Sequence, residues 1–327
     1  MHAFIGIDVS KEKLDLGWLR DPVTNKKKSK VFRNRREELQ KVCDWILTNT
    51  KAQPQDVLVT VEPTGVYHEA LLYFLYERGF NIYLPNPSQV KAFMKALGTV
   101  HKTDKSDALM LARYGAQSHD RRLWEPEAPE IRELKAMMRR LEALEKDRQR
   151  ELNRLEASEI TGASERVLRS LKDMIEVLEA EIRDLQHDID EHIDRHPPLK
   201  KNRQLLESIK GIGPVMSREM TYLFAAKSFR SAKQAANYTG VIPKIQESGK
   251  WVGRSTLSKE GPARVRAKLY MAAIVAKQHN PVIRLQYQRL LAAGKNKMQA
   301  LGAAMRKLVH ICFGVVKNQQ EFQPQPL

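Results

Sequence analysis

Four carboxylates in the first third of the chain have the spacing required for metal-assisted chemistry on phosphate esters. Asp8 and Glu62 each follow a short apolar run of the kind that predicts a buried β-strand. Asp104 and Asp107 begin a segment of helical character, in which side chains three residues apart share one face. Brought together, four such acids repel one another unless a cation lies between them.

Mg²⁺ is the cation that suits this oxygen-only set, and Mn²⁺ is an alternative. Two such ions about 4 Å apart can clamp the attacking and leaving oxygens of a phosphodiester. An acid at a strand end or a helix start is most often a solvated cap. The order of the set, with one acid after each of two strands and an Asp-x-x-Asp on a late helix, therefore carries the prediction of phosphoryl transfer on nucleic acid.

The elements that must position these acids can be predicted from periodicity. The runs at residues 4–7 and 57–61 are the two strands, and the alternating stretch 13–19 predicts an antiparallel neighbour of the first. Glu62 closes the second strand, and the turn residues Pro63 and Gly65 follow it. We therefore predict an α/β, RNase H-like domain in residues 1–125.

The composition of the 327 residues excludes several classes of protein. No run of eighteen apolar residues is present, and no apolar leader precedes the first strand, so we expect a cytoplasmic protein with no membrane partner. Cys43 and Cys312 are too few for a disulfide framework or a cysteine metal site. Both are predicted to be buried core thiols.

Positive charge is concentrated in the last third of the chain. Residues 199–327 contain 23 Lys and Arg against five Asp and Glu, and the last aspartate of the sequence is Asp194. This region therefore cannot build a carboxylate metal cluster from aspartates. A surface of this charge releases counterions from phosphates and binds nucleic acid largely without regard to sequence.

Between the two regions, residues 126–198 have heptad spacing. Apolar residues recur with 3,4 spacing from Ile131 to Leu155, interrupted by charged Glu145 and Arg148, and again without a break from Leu168 to Ile189. A turn at Gly162 separates the two series, which predicts an antiparallel coiled-coil arm. Such an arm can be a hairpin within one chain or a contact between two subunits, and the pattern leaves both open.

The basic domain, residues 199–327, is predicted to be mainly α-helical. It opens with Gly211 and Gly213 in a turn typical of a helix-hairpin-helix element, which presents backbone N–H groups to a phosphate; a plain helix-helix turn is the alternative. A Ser-Gly pair at Ser248 is ordinarily a turn. The candidate nucleic-acid contacts are Gly211, Gly213, Lys250, Arg254, Lys259, Arg264, Arg266 and Lys268.

A second basic cluster lies near the N-terminus, within residues 26–36. It is either an RNA or DNA contact or the solvated hairpin of the first sheet, and the sequence favours neither. Its members are Lys26, Lys27, Lys28, Lys30, Arg33, Arg35 and Arg36.

The motifs together resemble a known family of transposases. In chain order they are IGIDVSKEKLD, VEPTGVY, KTDKSDALMLA, LLESIKGIG, YTGVIP, ESG and GAAMRKL. This set is similar to the bridge-RNA-guided recombinases of the insertion-sequence one-ten family, which pair a RuvC-like DEDD domain with a C-terminal transposase domain. After ESG, the chain has Lys250, Trp251 and Val252 where the family carries smaller residues, so the contacts of this loop with DNA do not transfer.

The resemblance implies a mechanism and partners. It assigns Asp8, Glu62, Asp104 and Asp107 to a Mg²⁺ site, two ions for each composite site, and Ser248 to nucleophilic attack. The acids of one subunit and the serine of another would form the site, give a 5′-phosphoserine intermediate and pass through a Holliday-like junction. The implied partners are a guide RNA, donor and target DNA, and further copies of the chain, as a dimer that assembles to a tetramer on DNA.

Two other functions stay open at this point. The chain could be a metal-dependent junction resolvase in which water attacks the phosphate in place of Ser248. It could also be an inactive nucleic-acid-binding descendant, although the presence of all four acids and of the serine argues against that.

Overall fold

The computed structural model describes residues 3–21, 26–63, 65–97, 104–119, 121–244, 247–248, 251–252 and 256–324. Within these ranges it describes the backbone alone for Asp21, Asp104, Lys105, Glu247, Ser248, Trp251 and Val252. The chain divides into two compact units, Met1–Pro126 and Glu127–Leu327. The predicted arm belongs to the same unit as the C-terminal helices, and the three-part division of the chain stays a prediction.

The first unit is built on a mixed five-stranded sheet. Its strands are β1 (Ala3–Val9), β2 (Lys13–Asp21), β3 (Lys26–Arg33), β4 (Val57–Val61) and β5 (Asn81–Tyr83). The order is β3-β2-β1-β4-β5, with β3, β2 and β1 antiparallel and β1, β4 and β5 parallel. The predicted antiparallel pairing of the first two strands is confirmed.

Four helices complete this unit: α1 (Leu39–Thr50), α2 (Glu69–Glu77), α3 (Pro87–Ala96) and α4 (Asp104–Gln117). Because side chains alternate along a strand, β1 directs Ile5 and Ile7 to one face and Gly6 and Asp8 to the other. The isoleucines share a core with apolar residues of α1 and α2. Helix α4 packs on the glycine face.

The second unit begins with two long helices, α5 (Pro129–Ile160) and α6 (Glu165–Arg195), which form an antiparallel hairpin. His192 Nε2 lies 2.9 Å from the Glu130 carbonyl oxygen, and Arg148 pairs with Glu179 at 3.5 Å. In the half of the hairpin away from the turn, heptad residues such as Leu134, Met138 and Ile189 are buried, whereas Ile131 and Leu185 are partly buried. The coiled coil itself, and its use between subunits, stay predictions.

The rest of the unit is helical with a small β-ribbon. The helices are α7 (Pro197–Glu207), α8 (Pro214–Ala226), α9 (Ala232–Tyr238), α10 (Ala263–His279), α11 (Pro281–Ala292) and α12 (Lys297–Asn318). Strand β6 (Pro243–Lys244) pairs with β9 (Thr256–Leu257), and β7 (Glu247–Ser248) pairs with β8 (Trp251–Val252). The prediction of a mainly helical C-terminal part is confirmed.

Both cysteines are buried and free, as predicted. Desolvation raises the pKa of Cys43 to about 11 and that of Cys312 to about 12, so both thiols stay protonated and unreactive. Among the described residues, no helix is both long and apolar enough to cross a membrane.

Candidate active site

Two of the predicted acids lie at neighbouring strand ends. Parallel pairing of β1 with β4 matches Gly6 to Thr60 and the next residue of each strand in turn. The last matched pair is Ile7 with Val61, so the same register continued by one residue places Asp8 beside Glu62. Both side chains are half-buried, and both leave the sheet on the same face, since each lies two residues beyond a member of the pair of Gly6 and Thr60.

Helix α4 covers that face at unusually short range, because glycines remove the side chains that would hold it away. A Cβ atom added to Gly6 would lie 2.5 Å from the Ala112 nitrogen, and one added to Gly17 would lie 2.7 Å from the Leu109 nitrogen. Further along the helix, a Cβ on Gly115 would overlap Thr60 Oγ1. The glycines thus determine where α4 lies on β1, β2 and β4.

This packing carries Asp107 to the face on which Asp8 and Glu62 emerge. Asp107 directly precedes Ala108, whose carbonyl oxygen is the nearest atom to a Cβ placed on Gly6. Its side chain is half-buried. Asp104 begins the helix, one turn earlier, and its side chain lies outside the described residues.

The described side chains do not by themselves form a metal cluster. Among them, no three His, Cys, Asp or Glu groups lie close enough to hold one ion, and the fourth predicted ligand is not described. The donors nevertheless fit a hard divalent cation, because carboxylate oxygens on a shared face are the ligands that Mg²⁺ takes. The four-acid metal site stays a prediction.

A fifth acid, Asp15, lies directly across the sheet from Asp8. Asp15 is buried, with 6 % of its surface exposed, and its Oδ2 lies 3.3 Å from Lys13 Nζ. Like charges on directly opposed strand residues repel, and Lys13 offsets the charge of Asp15. Sequence reasoning missed Asp15, although its alternation with Gly17 could have placed it on the helix-bearing face.

The predicted nucleophile, Ser248, lies in β7, opposite Trp251. Its side chain lies outside the described residues, as do Lys250 and Arg254 entirely. The hydroxyl groups of Ser255, Thr256 and Ser258 are the nearby alternatives to Ser248. Ser255 lies outside the described residues, Thr256 is exposed on β9, and Ser258 Oγ is buried with no hydrogen-bond partner among the described atoms.

Two predicted nucleic-acid contacts, Arg264 and Lys268, are engaged inside the protein. Arg264 Nη2 lies 2.7 Å from Glu219 Oε1, and Lys268 Nζ lies 3.2 Å from Glu219 Oε2. Glu219 is 1 % exposed, and secondary pairs reach Glu142 and Glu145 on α5. These cations therefore join α10 to α8 and α5, and any contact with nucleic acid would compete with that network.

The turn predicted to resemble a helix-hairpin-helix element joins α7 to α8. Gly211 has a φ of 104°, and a Cβ there would lie 2.6 Å from the Ala276 Cβ, so this glycine permits close packing on α10. Gly213 precedes α8 and has open space around it. Only Gly213 is placed where a ligand could approach it.

The remaining predicted contacts, Lys259 and Arg266, lie beside one another around a groove. Arg266 Nη1 donates to the Gly261 carbonyl oxygen at 2.8 Å. Lys259 is exposed and has a φ of 55°, which is uncommon for a residue with a side chain.

Two family models match the chain, one on each side of the arm's turn. A DEDD-type model described as a transposase matches residues 5–158, and one described as the transposase IS116/IS110/IS902 family matches residues 203–288. A pilin gene-inverting protein of Moraxella bovis is 30% identical over 326 residues, which is 98% of this chain and 97% of that protein. The chain belongs to the IS116/IS110/IS902 transposase family.

Two further relatives of this transposase support the same assignment. A pilin gene-inverting protein of Moraxella lacunata is 30% identical over 323 residues, covering 98% of this chain and 97% of its own. An IS110 insertion-element protein of Streptomyces coelicolor is 23% identical over 159 residues, covering 48% of this chain and 38% of its own. The transposase is therefore an enzyme of DNA recombination, and the DEDD domain supports an RNase H-like fold for the mixed sheet.

Proposed function

We propose that this transposase is an RNA-guided DNA recombinase in which Ser248 forms a covalent bond to DNA. The observation that supports the proposal is the β1-β4 register, which sets Asp8 beside Glu62, together with the close approach of α4 to Gly6 at Ala108, the residue after Asp107. The second unit supplies the serine and most of the positive charge.

Asp8, Glu62, Asp104 and Asp107 would hold Mg²⁺. When bound, the ion would neutralise charge that builds on the scissile phosphate. The acids themselves orient the ion and exclude other ligands, and Asp15 would add negative charge beneath Asp8. Because residues 199–327 contain no aspartate, the serine depends on the other unit for this chemistry.

In the proposed step, Ser248 Oγ bonds to phosphorus and the 3′-oxygen of the broken strand leaves. The serine loses its proton and the departing oxygen gains one. The number of phosphate ester bonds is unchanged, so a 3′-hydroxyl from another strand can attack the phosphoserine and restore DNA without an external energy source. Strand exchange of this kind, carried out in two steps, passes through a Holliday-like junction.

A junction resolvase using water is the second candidate. Water would consume the phosphodiester and leave a cut, whereas inversion of a DNA segment requires that strands be rejoined. The two full-length relatives are named for gene inversion, which favours the rejoining chemistry of a serine ester. The composite arrangement, with acids and serine from different subunits of a dimer or tetramer, is part of the same proposal.

With a guide RNA, base pairing between the RNA and DNA would determine which DNA sequence is recombined. The protein would recognise only the backbone and shape of the nucleic acids. The excess of 23 basic over five acidic residues in residues 199–327 supports sequence-independent binding of this kind. The basic strand β3, with its exposed lysines, is a further candidate contact.

The test is to purify the full chain from cells that carry its element and to sequence the RNA that copurifies. The proposal expects one structured RNA with segments complementary to donor and target DNA, and loss of recombination after ribonuclease treatment. Recombination that persists without RNA would overturn the guided mechanism.

A further inference from the structure

A groove of about 430 Å³ lies in the second unit, between the ribbon and the start of α12. Its floor is apolar and is formed by Val241, Leu257, Leu290 and Met298. Gly302 leaves room on the α12 side, since a Cβ there would make only an ordinary contact, 3.5 Å from Leu257 Cδ2. The volume is within the range of small-molecule sites and suits a single nucleotide unit.

The rim of this groove is positively charged. Lys259, Lys295 and Arg306 contribute to its lining, and none of the described lining residues is acidic. The N-terminus of α12, a helix of 22 residues, adds a positive end of a helix dipole at the same place. An apolar floor with three cations at its rim complements a ligand that has a flat apolar body and an anionic edge.

The groove also presents hydrogen-bond donors. Asn296 and Gln299 form the capping box of α12, in which Asn296 Oδ1 accepts from the Gln299 nitrogen and Gln299 Oε1 accepts from the Asn296 nitrogen. The box uses the two amide oxygens, and it fixes the orientation of both side chains. Their NH₂ groups are thereby held beside the floor, where they can donate to the edge of a base.

The backbone conformation of Lys259 positions this cation at the groove. Lys259 is in the left-handed region, with φ 55°, and its N–H donates to the Gly240 carbonyl oxygen at 3.2 Å. Strained backbone of this kind persists where surrounding contacts hold it and is concentrated at functional sites. It directs Lys259 into the lining two residues after Leu257 of β9.

We propose that this groove binds one unstacked nucleotide of the nucleic-acid substrate. The base would lie on the apolar floor, and its flanking phosphates would contact Lys259, Lys295 and Arg306. Nucleic acid is favoured over an apolar peptide because all three charged residues that are described in the lining are cations. The proposal rests on the recombinase function above and deepens it, since an extruded base would anchor a strand beside the ribbon that contains Ser248.

The test uses the full chain and a short single-stranded DNA of about six nucleotides, either intact or with one central abasic residue. Burial of the apolar surface of one base on the groove floor should strengthen binding by roughly tenfold, so the wild-type protein should bind the intact strand about tenfold more tightly. Ala303→Trp fills the groove from a half-buried position of its wall on α12. It should abolish the preference for the intact strand, with thermal unfolding measured to verify the fold.

Two neighbours on α12 provide a matched charge pair. Arg306 lines the groove, whereas Lys307 is exposed and does not. Arg306→Gln should weaken binding of the strand and reduce the rise in fluorescence that a central 2-aminopurine shows when it leaves the base stack, whereas Lys307→Gln should leave that rise unchanged. These are binding measurements, so they remain interpretable if Ser248 proves not to be the nucleophile.

Equal affinity of the wild-type protein for intact and abasic strands would overturn the proposal and would leave a protein partner as the occupant. Retention of the preference in folded Ala303→Trp would also overturn it. A tenfold preference that this substitution abolishes, together with a difference between the two charge variants, would support it.

Discussion

The carbonyl oxygen of Ala108 occupies the space that any side chain at Gly6 would need. This relationship places α4 directly on β1. The contact on the helix, Ala108, lies one residue after Asp107, and the contact on the strand, Gly6, lies two residues before Asp8. The position of one carboxylate relative to the other therefore depends on the absence of a side chain in the middle of a strand. Glycine weakens a strand, but at Gly6 the absence of a side chain permits the close approach of a helix.

Gly6→Ala should displace α4 and lower the free energy of unfolding by about 1–3 kcal/mol, the usual cost of overpacking. Loss of DNA cleavage should accompany the loss of stability, because Asp107 moves with the helix. Gly314→Ala is the control, since a Cβ there meets no atom within 4 Å. Urea unfolding of both variants measures the difference, and equal stabilities would show that α4 is not positioned by this contact.

Asp8→Asn and Asp107→Asn should each abolish cleavage and also change the response to metal. Asn retains the shape of the side chain but removes one of the charges that attract Mg²⁺. The Tm of the wild-type protein should rise on addition of Mg²⁺, and that of each variant should rise less. A full metal-induced shift in Asp107→Asn, or full cleavage activity, would remove this residue from the site.

The periodic elements of this fold were predictable from the sequence, because one burial pattern determines each of them. A short apolar run predicted β1, alternation predicted β2, and heptad spacing predicted the two long helices. The partners of Arg264 and Lys268 were not predictable, since Glu219 is 45 and 49 residues away and only the packing of α8 on α10 brings it near. The short distance between α4 and the sheet was likewise not predictable, because it depends on Gly6 and Gly17, which only the pairing of β1 with β2 places side by side.

Glu219→Ala should destabilise the second unit by about 3–5 kcal/mol, because it removes the buried carboxylate nearest to two half-buried cations. Glu260→Ala, at an exposed position, is the matched control and should change the unfolding free energy by less than about 0.5 kcal/mol. Chemical denaturation of the two variants tests the claim. A loss below about 1 kcal/mol for Glu219→Ala would mean that Glu142 and Glu145 compensate, and that the network is not centred on Glu219.

His310 should make stability depend on pH. Burial, and then the charges of Arg306 and Lys307, lower its pKa from the ordinary value of 6.5. Below that ordinary value, the unfolded chain binds a proton that the folded chain does not, so stability is full above it and falls as the pH drops toward the folded pKa. His310→Leu should flatten the decline in unfolding free energy between about pH 7 and 5. An unchanged decline would assign it to other groups.

The central claim is tested most directly by trapping the covalent protein-DNA adduct and mapping it by protease digestion and mass spectrometry. The proposed mechanism predicts a phosphodiester linkage at Ser248 and no adduct from Ser248→Ala, which should still bind DNA and RNA. Ser258→Ala, which removes a nearby hydroxyl, should form the adduct normally. Attachment at any other residue, or undiminished recombination by Ser248→Ala, would contradict the account.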